Sequence, residues 1–246
     1  MNSYRGITAV ALLSLVGSCI SLSAQAQAKL AGSSLLTASD QVQLGAWLGE
    51  GQIVLNNVYA KAQGDTSVNF HRAADGRGRT FSVMQASNAS GQTWLIGGYN
   101  PQSWSSAGGY NMTVENNLRT GFLCNLTVGA LHRQTPRSYA LDSVGSFQTY
   151  NDAGYGPTFG VGHDLYVPTN LSSGGHSSLY SYIDPITGNF GVSILDGTTG
   201  GGSHVSFGAI EVFTINVVPE PATYGMMFAG LAVMGAVARR QKKVAA

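Results

Sequence analysis

Two apolar stretches, Ile7 to Leu22 and Ala222 to Ala238, confine any folded body to the residues between them. The first follows Arg5 and runs into Ala24-Gln25-Ala26 and Ala26-Gln27-Ala28. A positive start, an apolar run and a small-residue site make residues 1–28 a cleavable secretory signal, with a new N-terminus near Gln27 or Lys29. Ser and Gly interrupt the run, which argues against a permanent anchor. Val16-Gly17-Ser18-Cys19 loosely matches a lipoprotein box, but the apolar stretch continues past Cys19, so ordinary cleavage is expected. The second stretch, residues 222–238, is just long enough to span a bilayer as a single transmembrane helix. Arg239-Arg240-Gln241-Lys242-Lys243 behind it would stay cytoplasmic and leave the body on the far side of the inner membrane.

The body, residues 29–216, has the length of one domain. Charged residues make up 10% of the chain and Gly contributes 33 positions, against a usual charged share of about 25%. Few charges and many glycines suit an all-β domain with tight turns. The net charge of +1 and the lack of a basic stripe in the body exclude nucleic acid as a partner. Once the signal is cut, Cys124 is the one cysteine left, so the fold rests on packing without an internal disulfide. Its alternation with Phe122 and Leu126 reads as a buried thiol.

Thr37-Ala38-Ser39-Asp40 reads as a capping box, with Leu44, Trp47 and Leu48 on one face of the short helix it starts. Strands are predicted at residues 53–59, 80–85, 93–99, 122–128, 164–167, 178–183, 190–195 and 205–217, separated by Gly, Asn, Ser and Pro clusters. This is the pattern of an antiparallel β-sandwich with a few short helices.

Residues 217–246 carry Pro219-Glu220-Pro221, the short apolar span and the basic end in that order. The set resembles the PEP-CTERM sorting signal of Gram-negative bacteria that secrete extracellular polysaccharide. The resemblance implies processing at Pro219, Glu220 and Pro221 by an exosortase, and placement at the cell surface or outside the cell. Signal peptidase and exosortase are then transient partners, and exopolysaccharide a candidate one.

The body resembles a TLDc domain through an ordered series of blocks. These are Ser34-Leu35-Leu36-Thr37 with Leu44 and Trp47-Leu48, Phe70-His71 with Asp75-Gly76 and Gly78, and Gly97-Gly98-Tyr99 with Trp104 and Gly108-Gly109-Tyr110. Gly121-Phe122-Leu123 with Leu126, Tyr155-Gly156-Pro157-Thr158-Phe159-Gly160, Gly162-His163-Asp164-Leu165 and Ile210-Glu211-Val212-Phe213 complete the series. Ala74 stands where a Cys is common, Arg79 where Pro is usual and Val161 where Gly is usual. The resemblance implies a β-sandwich and a link to oxidative-stress protection, with no catalytic constellation.

His71, Asp75, His163, Asp164 and Glu211 are the polar residues inside those blocks. Their spacing matches no metal-ligand motif, and His71 and Asp75 sit in sequence that reads as Gly-rich and non-helical. Hydrogen-bonded turns are the expected use, and no catalytic residue, metal or cofactor is assigned. A hydrolase or peroxide-handling enzyme built on His163, Asp164 and Glu211 is the alternative, tested by whether the three converge. A further alternative is a carbohydrate-binding module, with Trp104, between Ser103 and Ser105, as its exposed stacking residue. Gly97-Gly98 and Gly108-Gly109 lack phosphate-loop spacing and read as turns or bulges.

Overall fold

The computed structural model describes residues 28–136, 142–183, 190–199 and 203–218, together with Leu231 and Met234. The expected secretory signal before residue 28, the Pro219-Glu220-Pro221 tripeptide and the expected transmembrane span lie outside the described residues, those two positions apart. Among the described residues no helix is long and apolar enough to cross a membrane.

The chain is mainly β, and every strand ladder is antiparallel. The strands are β1 (Ile53–Ala60), β2 (Thr80–Ser87), β3 (Thr93–Asn100), β4 (Gly109–Met112), β5 (Phe122–Asn125) and β6 (Ala130–Gln134). They continue with β7 (Phe147–Asn151), β8 (Thr158–Phe159), β9 (Leu165–Tyr166), β10 (Gly175–Ser177), β11 (Tyr182–Ile183) and β12 (Ser203–Val217). Two short helices, α1 (Ala38–Leu48) and α2 (Ser67–Ala74), join them, with a single helical turn at Asp142–Gly145.

The hydrogen-bonded order is β11-β6-β5-β3-β2-β12-β10-β9-β8-β7-β4, with β1 also on β12. The long β12 links the two halves: residues 203–205 pair with β10, residues 206–214 with β2, and residues 211–217 with β1. A bulge between Phe207 and Ile210 interrupts the ladder with β2. Side chains of both halves meet in one core, where Met84, Ile96, Leu123 and Val212 pack with Phe159, Leu165 and Val205. The opposite side of β2, β3, β5 and β12 forms a second core of Phe81, Val83, Phe122, Cys124 and Phe213, covered by Leu44 of α1. Cys124 is fully buried there, and burial pushes its thiol pKa up, as expected of a packing residue.

The capping box forms as predicted: Thr37 Oγ1 accepts from Asp40 N, and the Asp40 carboxylate accepts from Thr37 N at 2.8 Å. Gly49 closes α1 in the left-handed region at φ 72.

Three strand expectations need correction, each for a side-chain reason. The 122–128 strand stops at Asn125, whose Oδ1 accepts from the backbone of Thr127 and Val128 and turns the chain. Of the expected 178–183 strand only β11 forms, because the Asp164 carboxylate takes the N–H groups of Tyr180 and Tyr182. Residues 190–195 form no strand: the carbonyls of Ile194 and Leu195 accept from the Asn125 amide, and only Val192 makes a bridge, to Thr199.

Gly97 and Gly98 lie inside β3, at neither a turn nor a bulge. A Cβ would come within 2.4 Å of the Phe81 ring at Gly97 and within 2.4 Å of the Phe159 ring at Gly98. The pair lets an aromatic ring press on the strand from each side.

Candidate functional site

The sequence candidates fall into separate places. His71 lies in the last turn of α2 and Asp75 is its C-terminal cap, so the pair is helical in origin, contrary to expectation. The glycines that suggested a loop, Gly76 and Gly78, come after the helix has ended. Nδ1 of His71 is 2.7 Å from Asp75 Oδ1, and Nε2 is 2.8 Å from Asp152 O and 3.0 Å from Tyr155 O. The backbone carbonyls can only accept, so Nε2 donates to them, while Nδ1 is engaged by the carboxylate, and both ring nitrogens are tied up within the fold. Asp75 Oδ2 accepts from Ser106 N at 2.8 Å. The unit clamps α2 to the loops at residues 104–106 and 152–155.

Asp164 is fully buried, and its Oδ2 accepts from Tyr180 N at 2.6 Å and Tyr182 N at 2.8 Å. Oδ1 has no hydrogen-bond partner. Burial raises the carboxyl pKa to about 7, against the opposing pull of those backbone donors. Gly160, at φ 77, makes room for it: a Cβ there would overlap Oδ1. His163, next in line, has φ 67, a conformation that costs a non-glycine residue energy. Its Nδ1 is buried without a partner, and burial, aided by nearby His176, lowers its pKa and keeps the ring neutral.

Glu211 does not join them. It shares a face of β12 with Phe213 and sits opposite Val83, on the second-core side, whereas Asp164 adjoins Leu165 of the first core. Its carboxylate accepts from Ser33 Oγ at 2.5 Å and from Ser34 N and Oγ at 2.7 Å, docking the segment before α1. His163, Asp164 and Glu211 therefore form no common cleft. Trp104, expected to be exposed, is 1% exposed. Its indole packs edge-on against Phe70 and Phe159, and Nε1 donates to Thr80 Oγ1 at 2.9 Å. The flanking serines read as a loop, yet the bridge between Asp75 and Trp104 folds that loop onto the core.

The structure assembles one feature that sequence reading missed. Tyr110 of β4 pairs directly with Tyr150 of β7, and Tyr166 of β9 with His176 of β10. Partners directly opposite share a face, and here it is the face away from Phe159 and Leu165. Tyr155 and His163 fill the gap. Ring centroids are 4.8 Å apart for Phe147–Tyr110 and Tyr110–Tyr150, 4.9 Å for Tyr150–Tyr155 and 5.2 Å for both Tyr155–Tyr166 and Tyr166–His176. His163 lies 5.1 Å from Tyr150 and stacks on Tyr166 at 5.5 Å. All seven rings are partly exposed. Burial raises the pKa of Tyr110 and Tyr155, so these phenols stay protonated. The signal was the scatter of Tyr and His over residues 110–176, which becomes a row only when the register of four short strands is known.

The sorting sequence is tied to this body at its root. Val217, the last residue of β12, pairs with Ile53 of β1, and Val218 N donates to Gln52 O at 3.0 Å. A shallow apolar groove of about 740 Å³ adjoins the exit point, lined by Val42, Ala46, Ile53, Val54 and Val218 among others. A family model described as the PEP-CTERM protein-sorting motif matches residues 217–243. The match supports exosortase-sorted export, with placement at the cell surface or outside the cell and exosortase as a transient partner. No curated protein matches the chain.

Proposed function

We propose that the chain is a surface or extracellular-matrix protein whose body, residues 29–216, is a non-catalytic TLDc-like β-sandwich anchored in the inner membrane until an exosortase acts. The observation that carries the reading is the junction at Val217 and Val218. The sheet ends where the sorting motif begins, so Pro219-Glu220-Pro221 follows the folded body directly and a cut there leaves the fold whole.

Support for the body comes from its two halves packed across one core and from the use of its polar residues. His71, Asp75, Asp164 and Glu211 each hold chain segments together, which is the role expected of polar residues inside blocks shared with a non-enzymatic module. The TLDc reading also carries the link to oxidative-stress protection, now outside the cell.

Fractionation tests the export reading. In cells with an exosortase the body is expected at the surface or in the medium; in exosortase-deleted cells it is expected to accumulate in the inner membrane. The same distribution in both strains overturns exosortase-dependent sorting.

A further inference from the structure

We propose that the row of rings running from Phe147 through Tyr110, Tyr150, Tyr155, His163 and Tyr166 to His176 is a binding platform for a neutral polysaccharide chain. It uses only this outer face, so it stands or falls independently of how the chain is exported and of whether the body is TLDc-like.

The shape of the site selects an extended ligand. From Tyr110 to His176 the rings run across β4, β7, β9 and β10, passing over β8, with Phe147 of β7 beside Tyr110, and four inter-strand steps make a row of about 19 Å. The row lines neither the groove at Val218 nor the shallow cleft beside His71 and Asp75. A small molecule would be left mostly in water on such a surface, whereas a chain can contact each ring in turn.

The chemistry selects a sugar chain. A pyranose has apolar C–H faces and a rim of hydroxyls, and it matches a surface of flat rings edged with phenol oxygens and imidazole nitrogens. Successive rings lean at 61° for Tyr110–Tyr150, 73° for Tyr150–Tyr155 and 59° for Tyr155–Tyr166. Faces and polar edges therefore alternate along the row. The strand segments that carry it contain no Lys or Arg, which leaves nothing to neutralise a phosphate or a uronate backbone.

The row is also built to be rigid. His71 holds the carbonyls of Asp152 and Tyr155 and so fixes the loop that presents the Tyr155 ring. Asp164 and Gly160 fix the tight turn that presents His163. A stiff aromatic surface loses little freedom when a chain lies on it.

The test is native-gel retardation of the full chain, purified in mild detergent. The gels contain dextran, mixed-linkage β-glucan, galactomannan or, as an anionic control, alginate. Retardation in at least one neutral gel is expected, with binding weakened roughly tenfold in Tyr155→Ala and in Tyr166→Ala, each losing one ring. Tyr155→Phe, which keeps the ring, is expected to bind within about twofold of the wild type. Circular dichroism confirms the fold of each variant, and Val42→Ser, on the exposed side of α1, serves as the unaffected control. Retardation in no neutral gel overturns the proposal, as does retardation that the ring variants leave unchanged. A dimer in size-exclusion chromatography that Tyr155→Ala dissociates also overturns it, since the row would then be a contact between copies.

Discussion

The indole Nε1 of Trp104 donates a 2.9 Å hydrogen bond to Thr80 Oγ1, placing the largest side chain of the 101–108 loop in the centre of the first core. Trp104→Ala should cost about 3–5 kcal/mol, the usual range for emptying a buried aromatic site. Trp104→Phe fills most of the space but strands the Thr80 hydroxyl, and should cost about 1–3 kcal/mol. Urea unfolding monitored by circular dichroism checks both values. A Trp104→Ala protein as stable as the wild type would contradict the packing described.

Asp164 makes stability depend on pH in a direction opposite to that of a salt-bridged carboxylate. Its pKa is raised from 3.8 to about 7, so the folded state holds a proton that the unfolded chain has released. Stability from this group is fully present below pH 4 and is lost as pH rises through 7, by about 4 kcal/mol in all. Asp164→Asn cannot titrate, and the gap between wild type and variant should change by that amount between pH 4 and 8. Unfolding free energies measured at the two pH values decide it; parallel profiles would contradict the burial of an unpartnered Oδ1.

Gly98→Ala is expected to destabilise by about 1–3 kcal/mol, because the new methyl meets the Phe159 ring at 2.4 Å. The double variant Gly98→Ala with Phe159→Leu should lose less than the sum of the two single losses, since a smaller side chain yields the space. Thermal melts of both single variants and the double measure the coupling, and strict additivity would mean that the ring does not set the constraint.

His71→Leu removes the Nε2 donor shared by Asp152 O and Tyr155 O while leaving their carbonyls in place. Hydrogen exchange should quicken in residues 152–156, with β2 and β3 still protected. Unchanged exchange in that loop would show that the clamp is not what holds Tyr155.

The sequence makes the long elements plain and hides those set by distant partners. α1 is legible because Thr37 and Asp40 cap it locally, and β1, β2, β3 and β12 because each carries its own apolar run. α2 is obscured by Gly76 and Gly78 just beyond it, and β4 and β7 by polar residues whose neighbours lie some 40 positions away. The same reason hides the ring row: Tyr110 and Tyr150 become neighbours through pairing, not spacing. Trp104 misleads in the other direction, since two flanking serines suggest water where the tertiary fold supplies Phe70, Phe159 and Thr80. The C-terminus needed no tertiary information, because order alone defines the motif at residues 217–243.

Export by exosortase is the central claim, and intact-mass measurement of protein recovered outside the cell tests it most directly. The expected mass corresponds to a chain beginning near Gln27 or Lys29 and ending close to Pro219-Glu220-Pro221, with β12 complete through Val217. Recovery of a mass that still includes residues 222–246 would contradict processing at the motif and leave the C-terminal span as a plain anchor.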